Sequence, residues 1–167
     1  MEETHLEPRP ASASRIRLAI LTQPGHANAF GTIHGGVLLK LADECGAVAA
    51  LRHAGRGQVA TAAMDSMMFL DPVHVGERIE IVAEVSYVGR SSIETRIEIL
   101  AEPYDRAEPR RVALGYALYV ALDELNRRPR PVPPLLITSD ADRLALEQAL
   151  ARQAVRLARR AEALQTS

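Results

Sequence analysis

Period-two alternation opens the folded part of the chain. From Ser14 the run S-R-I-R-L-A-I-L-T sets Ile16, Leu18 and Ile20 on one side, the mark of a half-buried strand, and Pro24 and Gly25 close it. A glycine-broken loop from Gly25 to Gly36 follows. The pattern then changes. From Gly35 or Gly36 to about Ala54 almost every position is apolar except Lys40, Asp43 and Glu44, which predicts a long central helix covered on most sides, ended by Gly55 and Gly57. The run V-A-T-A-A-M-D-S-M-M-F-L reads as a long strand, and apolar residues on both parities predict a bulge in it. D-P-V-H-V-G-E is a turn. From Arg78 to Val88, Ile79, Ile81, Ala83, Val85 and Tyr87 oppose Glu80, Glu84 and Ser86. After V-G-R-S-S, Ile93, Thr95, Ile97 and Ile99 oppose Glu94, Arg96 and Glu98, so the two segments form an antiparallel pair with one wet face.

A charged loop spans residues 101–111. The strand from Val112 to Leu122 sets large residues (Val112, Leu114, Tyr116, Leu118, Val120, Leu122) against small ones (Ala113, Gly115, Ala117, Ala121), which suits tight packing of the small face. Prolines hold the stretch after Asn126 extended. A final helix begins near Ser139, capped through Asp142. Its stripe of Leu146, Leu150, Leu157 and Leu164, with Arg143, Arg152, Arg156, Arg159 and Arg160 on other faces, predicts a surface helix docked by leucine; a role in assembly or in holding an anion is the alternative. The order of elements is α+β, an antiparallel sheet curled around one central helix. Four segments result: a flexible stretch over 1–13, a domain over 14–125, a Pro/Arg-rich extended linker over 126–138 and an amphipathic helix over 139–164.

Composition adds exclusions. The chain has 167 residues, 47% of them hydrophobic, enough for one cored domain. Its 20 Lys and Arg nearly cancel 21 Asp and Glu, so no global field points to nucleic acid or to a membrane surface, and an anionic partner must be held locally. The single cysteine, Cys45, sits in the apolar helix and reads as a small core residue before a nucleophile; it forms no disulfide framework. The start M-E-E-T-H-L-E-P-R-P does not resemble a secretion signal and no apolar run is long enough to span a bilayer, so a cytoplasmic location is expected. No Cys and His spacing calls for a metal, and no glycine-rich phosphate loop occurs.

The carboxylate pair Asp43 and Glu44 stands out in the helix. Glu44 follows Lys40 by one turn and is expected to pair with it. Asp43 shares its face with Leu39, Gly46 and Ala50, whose small members leave room for a close approach. A carboxylate in such a setting is costly unless it finds donors, so it is either paired structure or chemistry. Asp65, near Thr61 and Ser66, is expected to be a structural acceptor.

The stretches N-A-F-G-T-I-H-G-G, L-A-D-E-C-G-A-V-A-A-L-R-H, F-L-D-P-V-H-V-G-E and Y-V-G-R-S-S, in this order and spacing, resemble the hotdog-fold acyl-CoA thioesterases. Within that family the chain is most similar to bacterial short-to-medium-chain and brain-type cytosolic acyl-CoA hydrolases, over roughly residues 14–138. Brain-type members carry two such domains in tandem and this chain one. The resemblance implies a homodimer with sites across its interface, a trimer of dimers as a common higher assembly, and acyl-CoA as substrate, with coenzyme A part of that substrate and no separate cofactor. It matches Asp43 to the catalytic acid, as general base on water or as nucleophile. It matches Asn28, otherwise a turn residue, to an asparagine facing that acid from the neighbouring subunit. It gives His34, Gly35 and Gly36 either a tight turn or an oxyanion site of free N–H groups at the helix start, with Gly36 the preferred donor; some relatives carry Phe at the place of His34.

Gly89, Arg90, Ser91 and Ser92 are a hairpin turn or, by the resemblance, a holder of pantetheine and phosphate. Arg52, His53 and Arg56, and beyond them Arg127, Arg128 and Arg130, are lesser phosphate candidates. A hotdog dehydratase or hydratase, and a non-catalytic acyl-CoA-binding regulatory module, are the alternatives. The first normally pairs a His with its acid, and the helix offers none beside Asp43.

Overall fold

The computed structural model describes residues 6–105 and 108–165. Five strands, β1 (Ile16–Leu21), β2 (Gln58–Phe69), β3 (Arg78–Val88), β4 (Ser92–Glu102) and β5 (Arg110–Leu122), form one antiparallel sheet in the order β1-β3-β4-β5-β2. Helix α1 (Gly35–Ala54) packs on one face of it. Alternation decides that face. Ile79, Ile81, Ala83 and Val85 of β3 and Ile93, Ile97 and Ile99 of β4 are all buried, and the register sets Ile81 opposite Ile99 and Ile97 opposite Gly115. From α1 come Leu38, Ala42, Cys45, Ala49, Ala50 and Ala54, mostly small, so the helix lies close to the strands. The small face of β5 is turned inward as expected, with one large exception, Tyr119, which is fully buried.

The bulge expected in β2 appears as two breaks of register, between Thr61 and Ala63 and between Asp65 and Met68, the second at Ser66 with φ 48°. Among the described residues β2 pairs with β5 alone and has its other edge open. As expected, α1 is covered on most sides: all five strands touch it, and its exposed positions, Gly36, Lys40, Glu44, Val48, Leu51 and Arg52, form a single stripe. On that stripe two apolar side chains stay uncovered among the described residues, Val48 at 49% and Leu51 at 39% exposed.

Of the segment 1–13, expected to be flexible, residues 1–5 lie outside the described residues. Arg9 within it is held by the fold: its N–H donates to Pro134 O (3.0 Å), its carbonyl accepts from Leu136 N–H (2.9 Å), and its guanidinium donates to His53 O (2.8 Å). Residues 11–14 then form a short 3-10 helix. The linker runs extended over the end of α1, as its prolines require.

Helix α2 (Asp140–Gln165) starts with the expected reciprocal cap between Ser139 and Asp142. Its docking is not by the leucine stripe. Leu146 is half-buried, but Leu150, Leu157 and Leu164 are 45%, 59% and 70% exposed. Ala149, Arg152 and Arg156 face the sheet instead. The cause is Glu94, which alternation puts on the outer face of β4 and α2 then buries completely. It accepts from Arg152 Nη2 (2.8 Å) and Arg156 Nη1 (2.7 Å), while Arg156 also reaches Asp65 (2.6 Å) and Arg152 lies 3.7 Å over the Tyr116 ring. Asp65 is thus the structural acceptor it was expected to be. Among the described residues no helix is long and apolar enough to cross a membrane.

Candidate active site

Asp43 lies in the third turn of α1, half-buried where the helix passes β2 and β5. Its Oδ1 accepts from Thr61 Oγ1 on β2 (2.9 Å) and from the Tyr119 hydroxyl on β5 (3.2 Å). The same hydroxyl lies 3.0 Å from the Asp43 carbonyl oxygen. Burial pushes the Tyr119 hydroxyl well above the usual phenol range, and the Asp43 charge adds to that, so Tyr119 stays protonated and donates. Two donors from two strands therefore hold one carboxylate oxygen, and Oδ2 has no hydrogen-bond partner among the described residues. Such a carboxylate is oriented and still has a lone pair to offer.

Gly46 makes this packing feasible. A methyl group there would stand 2.4 Å from the Tyr119 hydroxyl and 2.9 Å from Thr95 Oγ1. The room left by small residues on the face of Asp43 is filled by Tyr119.

The helix start differs from expectation at one atom. His34 is the N-cap, and its Nδ1 accepts from Gly36 N–H at 3.0 Å, which puts the ring proton on Nε2. The preferred oxyanion donor is thus already satisfied, as the first N–H groups of a helix seek any nearby acceptor. Gly35 N–H meets no acceptor among the described residues. Gly35 also abuts the Phe69 ring, 3.4 Å from where a Cβ would sit, at the edge of an apolar hollow of about 300 Å³ lined by Ile33, Leu38, Phe69 and Val73.

Asn28 organises its own loop. Its Oδ1 accepts from Phe30 N–H (2.9 Å) and Thr32 N–H (3.2 Å), and Nδ2 donates to Thr32 Oγ1 (2.9 Å). Gly31, at φ +79°, completes the turn and Phe30 projects from it, 90% exposed. No hydrogen bond joins Asn28 to Asp43 within the chain.

Gly89 and Ser92 close the β3–β4 hairpin through Gly89 N–H to Ser92 O (2.8 Å), with exposed Arg90 and half-buried Ser91 at its corner. Three phosphate candidates serve the chain itself. His53 is 1% exposed and its Nε2 donates to Pro133 O (2.8 Å), so the ring pins the linker and does not face solvent. Arg52 donates to Arg15 O (2.9 Å), and Arg130 reaches Ala54 O and Arg56 O at the end of α1, where free carbonyls attract cations. Glu44 and Lys40 pair at 3.8 Å, both exposed, a weak contact. Cys45 is buried, its thiol pushed up to about 11 by burial, and donates weakly to Ile81 O: a core residue. No three His, Cys, Asp or Glu residues gather as metal ligands among the described residues.

Thr61 and Tyr119 were missed as partners of Asp43. For Tyr119 a signal existed, a single large residue on the small face of β5 in register with a helix face that carries Gly46. Nothing in the sequence singles out Thr61.

One five-stranded antiparallel sheet around a long helix, with a carboxylate of that helix held from two strands, is the hotdog arrangement. The chain matches the thioesterase superfamily over residues 30–107. It is 34% identical, over 80% of its length and 90% of the relative's, to an uncharacterized acyl-CoA thioester hydrolase of Zymomonas mobilis. An acyl-CoA hydrolase of Staphylococcus aureus, solved with butyryl coenzyme A, coenzyme A and coenzyme A disulfide, superposes with a TM-score of 0.86 at 35% identity, covering 95% of each chain. That enzyme has also been solved with an aspartate, an asparagine or a threonine replaced by alanine. A hexameric acyl-CoA thioesterase superposes with a TM-score of 0.86 at 30% identity, covering 93% of this chain and 99% of its own. The chain belongs to the acyl-CoA thioester hydrolase family.

Proposed function

We propose that this protein hydrolyses acyl-CoA thioesters to the free acid and coenzyme A, with Asp43 as general base. Water bonded to Asp43 Oδ2 gives up a proton as its oxygen attacks the thioester carbonyl carbon. The carbonyl oxygen gathers charge against the N–H groups at the start of α1. The tetrahedral intermediate collapses, the C–S bond breaks, and the thiolate takes up a proton. Gly35 N–H is the open donor; Gly36 N–H joins it once the His34 imidazole turns aside. The observation that carries this reading is the Asp43 carboxylate, fixed at Oδ1 by Thr61 and Tyr119 and unpartnered at Oδ2. The relatives whose names specify acyl-CoA hydrolysis favour this substrate class, and the apolar hollow beside Gly35 suits an acyl chain.

Asn28 is assigned to the site of a second copy. Its loop bonds are all local and its exposed Phe30 tip is aimed away from its own core, so what it presents is available to a neighbour. The open edge of β2 and the exposed stripe of α1 offer the corresponding surface, and the hexameric relative supports assembly, for which a trimer of dimers is our reading.

Asp43→Asn tests the proposal. Thiol release from a panel of acyl-CoAs should fall by about 10² to 10⁴ in kcat, with the melting temperature little changed, since Asn can still accept from Thr61 and Tyr119. Turnover near wild type would overturn the assignment. A hydratase is disfavoured because no His hydrogen-bonds Asp43; formation of a double-bonded acyl product without thiol release would restore it.

A further inference from the structure

The outer face of the sheet carries a cavity that the proposed chemistry leaves unused. It measures about 880 Å³ and lies between β2, the β3–β4 hairpin and α2, with Ser91 and Ser92 on one side, Arg156, Arg159 and Arg160 on another, and Leu118 on its floor. The three arginines fall at helical spacings of three and four, so one side of α2 presents them together. Their environments differ. Arg156 gives Nη1 to Asp65 and Glu94, while its enclosed Nε and Nη2 meet no acceptor. Arg159 and Arg160 are exposed, and no ion pair among the described residues holds either. Arg152 and Arg156 already pair with Glu94 and Asp65, so Arg159 and Arg160 are the two cations of this wall whose charge neither carboxylate takes up.

We propose that this cavity is a phosphate-binding site for the phosphorylated end of a CoA-type nucleotide, with Arg159 and Arg160 as its principal donors. Guanidinium forks match phosphate oxygens two at a time, and the serine hydroxyls add neutral donors. An apolar floor beside such a cluster accommodates a nucleoside. The choice of nucleotide rests on the reading of the chain as an acyl-CoA hydrolase. The phosphates reach the cavity either as part of the substrate or as a free nucleotide, and the same chemistry holds both. Arg156 stays with its carboxylates and shapes the wall.

The experiment uses the whole protein and the double substitution Arg159→Ala, Arg160→Ala. Both side chains are exposed, so folding is checked simply by the melting temperature. Adenosine 3′,5′-bisphosphate is titrated calorimetrically into both proteins, and KM is measured for an acyl-CoA and for the same acyl group on pantetheine, which lacks phosphate. Loss of two charge-assisted contacts should weaken bisphosphate binding by about tenfold or more. If the ratio of the acyl-CoA KM to the acyl-pantetheine KM also rises about tenfold, the site serves the substrate's coenzyme A. If binding weakens and that ratio does not move, it serves a free nucleotide. Equal binding by both proteins, or none by wild type, overturns the proposal. Should wild type release no thiol from acyl-CoA, the hydrolase reading fails, while the titration still decides the site.

Discussion

The hydroxyl of Tyr119 reaches Asp43 from 76 residues further along the chain and orients it without touching solvent. Tyr119→Phe keeps the ring and deletes the donor, leaving Oδ1 with Thr61 alone. A hydrogen bond to a charged group is worth about 1.5–3 kcal/mol, part of which fixes the carboxylate, so kcat should drop by about tenfold with stability lowered by about 1 kcal/mol. Thr61→Val should act alike, and the double variant should lose less than the product of the two, since both act on one oxygen. Steady-state kinetics on the four proteins checks this; independent, multiplicative effects would mean the two donors do not share a task. Asp43 stood out in the sequence as a carboxylate inside an apolar helix, paired structure or chemistry, and Gly46 beside it announced a close approach. What approaches was not legible. Alternation tells which face a strand residue occupies, but not how far a side chain reaches across to a helix. His34, read as part of either a tight turn or an anion site, caps Gly36 N–H, because a side chain two residues back is the nearest acceptor.

The two segments outside the central domain attach by different physics. The linker is pinned at the end of α1 by His53, whose imidazole is held neutral because burial, with the Arg9 charge helping, pushes its pKa below 6.5 despite the bond to Pro133 O. The unfolded chain then takes up a proton near the ordinary His pKa that the folded one refuses. Stability from this group is full above about pH 6.5 and is lost as pH falls toward the folded pKa, with a slope of at most about 1.4 kcal/mol per pH unit. Melting curves from about pH 8 to about pH 5 should show that decline, and His53→Gln should flatten this part of it; an unchanged profile in the variant would place the decline elsewhere. Helix α2 is attached by charge. Arg156→Met leaves Asp65 and buried Glu94 short of a partner and should cost about 3–5 kcal/mol or detach the helix, whereas Leu157→Ala on the predicted stripe should cost under about 0.5 kcal/mol, as urea denaturation would measure. Leucine spacing predicted the helix correctly and its docking face wrongly. Periodicity identifies what a helix can bury, but Glu94, some sixty residues earlier in the chain, decides which side turns inward.

At the level of the whole molecule the architecture was the most legible feature, since strand alternation, one uninterrupted helix and proline-broken ends admit few arrangements. The exposed stripe of α1 was not, because a helix apolar all round reads the same whether its own sheet or a second copy covers it. The proposed site carries that distinction into function: Asp43 of one copy works with Asn28 of another. If so, two inactive variants must repair each other. In a mixed dimer of Asp43→Asn and Asn28→Ala chains, one site receives both substitutions and the other receives none, so it is intact. With random re-pairing half the dimers are mixed and half of their sites are whole, so about a quarter of wild-type activity should return on unfolding and refolding an equimolar mixture. A site built within one chain gives a different result. Every site then carries one substitution or the other whatever its partner, and the mixture shows only the mean of the two residual activities. The refolded mixture is assayed for thiol release beside each variant refolded alone, with size-exclusion chromatography confirming that all three assemble alike.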